Sequence, residues 1–259
     1  GNYSESDLLI NKPLTLAGAG QGLTIIGPAV ADAHQCNPLT SAHQGIIVAA
    51  HDVTLQGFTL DGNADGSLAG DHHYRMGILT HYLSASYNNL TVQDVTIQHV
   101  WYRGIVVRAM SGGTSSGHQV INVTVDDLAG CTLAGESRGQ AFGILYFDAA
   151  GEIGHTTISN VGSGIAASSY TPLQVNIHHN AVSLVDVQAY TLVLNAAGSL
   201  LESNSAVFDS GGASGIALLV DTPQGLSVRN NTFTGARIGI FMGRQAGPAE
   251  NLLIGEGNL

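Results

Sequence analysis

The chain of 259 residues carries a formal net charge of −11, with 8 Lys or Arg against 19 Asp or Glu. That balance disfavours nucleic acid, whose binding rests on clustered cations, while 44% apolar and 10% charged residues argue against disorder. No apolar run reaches the ~18–20 residues of a membrane-spanning helix, and no signal peptide is visible.

In chain order, short apolar segments open on Gly-Ile at Gly45 ("GIIVAA"), Gly77 ("GILTHY"), Gly104 ("GIVVRA"), Gly143 ("GILYFD"), Gly164 ("GIAASS"), Gly215 ("GIALLV") and Gly239 ("GIFMGR"). A variant, "TLVLNA", begins at Thr191. Between them recurs a strand, a small turn-former and another strand: "VTLQGFTL", "LTVQDVTI", "VTVDDLA", "TTISNVGS", "VNIHHNAVSL", "LLESNSAVF" and "LSVRNNTF". The turn-formers line up as Gly57, Asp94, Asp127, Asn160, Asn180, Asn204 and Asn231. Gly, Asn and Asp tolerate positive φ best, so the column predicts one repeating left-handed turn. Its asparagines read as structural and able to hydrogen-bond along the stack.

Each repeat holds about three short Val-, Ile-, Leu- and Thr-rich strands without useful helical periodicity. The leucine-rich pattern is absent. The remaining architecture is all-β, a solenoid whose strands pair with the repeats above and below. The patterns "NNLTVQDVTI…GIVV" and "GLSVRNNTFTG…GIFM", and the opening "GNYSESDLLINKPLTLAGAGQGLTIIG", resemble the right-handed parallel β-helix proteins of the pectate-lyase-like superfamily. The resemblance spans the chain and implies a right-handed parallel β-helix of about nine coils, three short strands per coil. It implies one domain over 1–259, or a piece of a longer chain, with inserted loops near 28–44, 61–75 and 129–142. It specifies activity poorly, because that superfamily holds lyases, hydrolases, epimerases, esterases and non-catalytic surface proteins. The signature motifs of its polygalacturonases, pectate lyases and alginate epimerases are missing here.

Strand alternation assigns faces. Counting from each glycine, the next residue (Ile46, Ile78, Ile105, Ile144, Ile165, Leu192, Ile216, Ile240) is expected to point inward. The residue after it (Ile47, Leu79, Val106, Leu145, Ala166, Val193, Ala217, Phe241) is expected to form an apolar outward column, covered by a loop or used in self-association. The fourth position puts His81 beside Arg108 on the outside. The segments "DHHYR" (71–75), "HVWYR" (99–103) and "ESRGQAF" (136–142) lead into these strands. Together they gather His72, His73, Tyr74, Arg75, Trp101, Tyr102, Arg103 and Arg138 near Tyr146 and Asp148. This local cationic, aromatic surface on an acidic chain suits an acidic polysaccharide: aromatic faces pack on sugars and arginines pair with carboxylates.

A lyase or C5-epimerase needs a cation to neutralise the C5 carboxylate, a base and a proton donor. Arg75, Arg103 or Arg108 answers to the first, His73 or His81 to the second, and Tyr74, Tyr102 or Tyr146 to the third. His72, Trp101, Arg138 and Tyr146 are candidate substrate contacts. Hydrolysis would rely on Asp71 and Asp148, whose separation in the chain speaks against a carboxylate pair. The competing reading is a non-catalytic surface or fibre module that binds glycan or serves as scaffold.

"DGNADG" matches the first half of a calcium loop through Asp61, Asn63 and Asp65, but the twelfth position is His72; a transition-metal site from His72, His73 and His81 is the weaker alternative. His178 and His179, adjacent in a strand, are expected to face opposite ways and form no chelate. Cys36 and Cys131 leave both a disulfide and two free thiols open. The expected setting is extracellular or in the cell envelope, with self-association through the apolar column or the coil ends.

Overall fold

The computed structural model describes residues 1–30, 43–63, 72–129, 140–193, 198–208, 215–221, 225–243, 253–255 and 257. Cys36, Asp65, Asp71, Cys131 and Arg138, and most of the three expected loops, lie outside them. The β-branched segments form strands, as their stiff side chains favour, and no α-helix occurs among the described residues. The strands are β1 (Asn2–Ser4), β2 (Leu8–Ile10), β3 (Leu14–Ala17), β4 (Ile25–Gly27), β5 (Ile46–Val48), β6 (Val53–Asp61), β7 (Tyr74–Thr80) and β8 (Leu90–Arg108). There follow β9 (Ser115–Ile121), β10 (Thr124–Leu128), β11 (Phe142–Phe147), β12 (Ala149–Gly154), β13 (Thr157–Ser168), β14 (Val175–His178) and β15 (Ala181–Val193). The last are β16 (Leu200–Glu202), β17 (Ser205–Val207), β18 (Ile216–Asp221), β19 (Ser227–Arg229), β20 (Thr232–Thr234), β21 (Ile238–Gly243) and β22 (Leu253–Ile254).

Every strand pairing is parallel, and the pairings fall into three ladders. The first stacks β1, β4, the end of β6, the middle of β8, β10, the starts of β13 and β15, β17 and β20. The second stacks β2, β5, β7, the end of β8, β11, the ends of β13 and β15, β18 and β21. The third stacks β3, the starts of β6 and β8, β9, β12, β14, β16, β19 and β22. The chain visits the ladders in the same order on each pass.

The corners explain the turn-formers and correct their alignment. Gly57 (φ 69), Asp94 (φ 53), Asn122 (φ 53), His155, His179, Ser203 and Asn230 (each φ 55) carry the chain from third to first ladder. His99 (φ 53), Asp127 (φ 56), Asn160 (φ 53) and Leu184 (φ 51) carry it from first to second. The single expected column is therefore two. Asn180, Asn204 and Asn231 belong to neither: each follows a left-handed residue, lies buried, and hydrogen-bonds to its counterpart on a neighbouring pass. Asn204 Oδ1 accepts from the Asn180 backbone N–H at 3.0 Å and the Asn180 amide at 2.9 Å. Asn204 Nδ2 donates to Ile177 O and Asn231 Oδ1, both at 3.0 Å. Thr156 continues the run, donating to Asn180 Oδ1 at 2.7 Å.

The Gly-Ile repeat has a steric cause. A Cβ at Gly45 would meet the carbonyl oxygen of Gly77 at 2.5 Å, one at Gly77 that of Gly104 at 2.7 Å, and one at Gly104 that of Gly143 at 2.5 Å. Each glycine lets one pass close against the next. Across β13 and β15, Ile165 pairs with Tyr190, and Tyr190 pairs with Leu218. Ala189 and Ala217 thus stand at the glycine position, and the expected alignments at Thr191 and Gly215 are displaced by two residues. Tyr190 and Leu218, rather than Leu192 and Ile216, follow Ile165 in the inward column.

Ile46, Val48, Ile78, Ile105, Val107 and Ile144 face inward and are fully buried, each side chain stabilising the fold by about 1.5–3 kcal/mol. The outward apolar column is not an open face at its centre. Val106 is buried with Met76, Trp101 and Tyr102 in a second apolar cluster, with Leu79 packed on it. His118, in β9, is 1% exposed. Its Nδ1 accepts from the Leu90 N–H at 3.3 Å, which puts the proton on Nε2, and Nε2 has no partner among the described residues. Burial pushes its pKa down to about 4.

Candidate functional site

Three of the expected reactive residues face the interior. His73 is fully buried. Tyr74 sits in the main core and donates its hydroxyl proton to Glu5 O at 2.6 Å. Tyr146 lies in the same core with its hydroxyl on Glu152 O at 3.2 Å. Burial first, then the charges of Asp61, Glu5 and Asp7, drives the Tyr74 phenol far above its ordinary range. Burial and Glu152 do the same to Tyr146. Phenols committed to internal carbonyls do not reach an external substrate.

A second group forms where β7 meets β8. The register shifts between Tyr74 and Met76, so Tyr74 stays in the core while Met76 joins the outer cluster. The Arg75 guanidinium lies 5.6 Å from the Trp101 ring centroid and 5.3 Å from that of Tyr102. Arg103 stacks over Tyr102 at 4.4 Å and donates to its hydroxyl at 2.9 Å. Arg75, Trp101 and Tyr102 are buried. Trp101 is therefore a packing residue of this cluster rather than an open sugar platform.

The third group lies at the far end of the same ladder. Arg108 closes β8, with its guanidinium 4.3 Å from the Tyr82 centroid and 4.9 Å from that of Phe147. Phe147 packs edge-on against Tyr170 at 5.8 Å. Tyr170 is 69% exposed. Asp148 positions it: buried, with φ 50, its Oδ1 accepts from the Tyr170 N–H at 2.9 Å and the Ser169 hydroxyl at 3.0 Å. His81 precedes Tyr82, its Nδ1 3.1 Å from Ser84 Oγ. Arg108 forms no ion pair among the described residues, and its Nε is buried without a partner. Arg229, by contrast, sits on Glu202.

Arg75, Arg103 and Arg108 thus do not converge on one groove. An extended strand rises about 3.3 Å per residue, which separates Arg103 and Arg108 by about 16 Å. Arg75 and Arg103 share one end of the ladder; Arg108 and His81 share the other. Phe147 stands at the same fourth position after its glycine as His81 and Arg108; sequence reasoning missed Tyr170, whose signal is the "SSYT" that follows a Gly-Ile segment.

Asp61 and Asn63, the described part of the expected calcium loop, are joined in a turn. Asp61 Oδ1 accepts from the Asn63 N–H at 2.9 Å and lies 2.7 Å from His99 Nδ1, while Oδ2 accepts from Gln98 at 2.8 Å. Both oxygens are engaged by protein, as in an ordinary Asx turn. His72 lies against Asp127 at 3.4 Å and against the His99 ring.

No family model and no curated protein matches the chain. Among solved structures it is similar to the A-module of the mannuronan C-5 epimerase AlgE6 of Azotobacter vinelandii. Identity is 15%, over 95% of this chain and 82% of that one, with a TM-score of 0.29. A likeness that slight transfers no residue role from that module to this chain. No helix among the described residues is long and apolar enough to cross a membrane.

Proposed function

We propose that the protein is a right-handed parallel β-helix of about nine coils that binds an acidic polysaccharide outside the cell or in its envelope. The binding face is the ridge of Tyr82, Arg108, Phe147 and Tyr170. The observation that carries this is Arg108: a guanidinium held between two aromatic rings, without an ion pair among the described residues, on a chain of net charge −11. Stacking fixes its plane, and a planar guanidinium held this way is pre-organised to pair with a carboxylate. Neighbouring passes are about 4.8 Å apart, on the scale of one sugar ring, so a chain lying along the ridge meets Tyr82, Arg108, Phe147 and Tyr170 in turn.

The test is a titration with a panel of uronic-acid polymers and their neutral counterparts. Arg108→Ala is expected to lower affinity for the acidic polymers at least tenfold, and Tyr170→Ala severalfold. Equal binding of neutral and acidic polymers, or unchanged affinity in Arg108→Ala, would overturn the proposal.

A lyase or C5-epimerase is the second reading, favoured by the place of His81 beside Tyr82 and Arg108. In it Arg108 neutralises the C5 carboxylate, His81 takes the C5 proton and Tyr82 supplies one. Ultraviolet absorbance of unsaturated ends reports the lyase, and exchange of the C5 hydrogen with deuterated solvent reports the epimerase. Silence in both assays on polymers that bind leaves the protein a binding module.

A further inference from the structure

The strongest unassigned cluster lies on the third ladder, apart from the ridge. Gly154 of β12 pairs with His178 of β14, so the residues that follow, His155 and His179, stand one above the other on adjacent passes. Both occupy left-handed corners with φ 55. A left-handed residue breaks the alternation of a strand. This is why His178 and His179, expected to point apart, instead bring their Nδ1 atoms to 3.1 Å. The His155 and His179 rings stack at 5.0 Å and 13°, and the His178 ring stands nearly perpendicular to both, at 80°. One ring nitrogen from each of the three histidines lies within 4.8 Å of the other two.

The protonation pattern is set by a fourth residue. Glu152 Oε1 lies 2.8 Å from His178 Nε2. A carboxylate only accepts, so it holds the proton on Nε2 and leaves the His178 Nδ1 lone pair aimed at the cluster. A carboxylate behind an imidazole is the usual outer support of a histidine metal ligand. Glycine at 154 is also required by the arrangement: a Cβ there would meet His178 Cε1 at 2.5 Å and Nε2 at 2.9 Å. The ring lies flat on the space a side chain would fill.

We propose that His155, His178 and His179 form a binding site for a divalent first-row transition metal such as zinc, with Glu152 as the residue that positions His178. Nitrogens at about 2.0–2.1 Å from a tetrahedral zinc stand about 3.4 Å from one another, so the 3.1 Å pair is already near ligand spacing. Metal entry replaces one N–H···N hydrogen bond, with the His179 proton moving to its Nε2. Three imidazoles and no thiolate favour zinc, copper or nickel over magnesium or calcium. His155 and His179 are exposed, so solvent completes the coordination shell.

The test uses the untagged full chain with cobalt and zinc as probes. Cobalt is expected to give visible ligand-field bands at one equivalent, which zinc abolishes. His178→Ala and His179→Ala should each weaken binding at least tenfold. Glu152→Gln should weaken it about tenfold while removing no ligand, and Gly154→Ala should do so by displacing the ring. These side chains face outward, so far-ultraviolet circular dichroism should be unchanged. Absence of bands at millimolar cobalt, or zinc affinity unchanged in the His178→Ala/His179→Ala double variant, would overturn the assignment.

Discussion

Replacing His118 by Gln should remove a pH dependence of stability that the native chain carries. The imidazole is buried, its Nε2 proton has no acceptor among the described residues, and its pKa falls to about 4. In the unfolded chain an imidazole titrates near 6.5. Between these values the unfolded chain binds a proton that the folded chain refuses, so stability falls as the pH falls. The effect is absent above about pH 6.5 and grows to its full size near pH 4. At pH 4.5 it amounts to about 2.5 kcal/mol of a full value of about 3.4 kcal/mol, because at 1.36 kcal/mol per pH unit the penalty grows only over the roughly two units below the unfolded value of about 6.5. Gln offers the Leu90 N–H an acceptor but does not titrate. Denaturant unfolding of both proteins from about pH 7.5 to 4.5 isolates the term, because the other groups cancel in the difference. The variant should gain on the native chain by about 2.5 kcal/mol across that range. A difference that stays flat would mean that the folded protein protonates His118 as readily as the unfolded chain, and the burial argument would be wrong.

Asn204→Ala should destabilise by about 3 kcal/mol or more, since it strands the Asn180 N–H and the Ile177 carbonyl in the interior; the denaturant midpoint measures it. Gly104→Ala should cost about 1–3 kcal/mol or more, because the new methyl group meets the Gly143 carbonyl and Val125 at 2.5 and 2.7 Å. Asp148→Ala should release the turn that carries Tyr170 and lower acidic-polymer affinity without touching the polymer itself. Its affinity should fall less than that of Arg108→Ala in the same titration.

The strands and their parallel stacking were legible because glycine marks a steric need at Gly45, Gly77 and Gly104. The register slipped where Ala189 and Ala217 take the glycine place, since nothing in "AYTLVL" or "IALLV" announces the substitution. Face assignment by alternation failed at left-handed corners and where the register shifts inside a strand. His179 turns with φ 55, and the Tyr74 register shift moves Tyr74 and Arg75 into the interior and the outer cluster. The histidine cluster had a readable trace: aligning "IGHT" with "IHHN" on the buried Thr156–Asn180 step puts His155 over His179. That alignment requires separating the asparagines from the left-handed residues before them, a distinction of backbone conformation that composition does not carry.

The run from Thr156 to Asn231 has a direction. The Thr156 hydroxyl and the Asn180 and Asn204 amides each give one hydrogen to the side-chain oxygen of the asparagine one pass further along the chain. The side-chain dipoles are therefore aligned head to tail, and each bond polarises the next. A substitution at Asn204 divides this column into two shorter ones, while one at Asn231 only trims it. Losses along it should therefore depend on position, and the middle of the column should be the place where neighbouring passes are most strongly coupled.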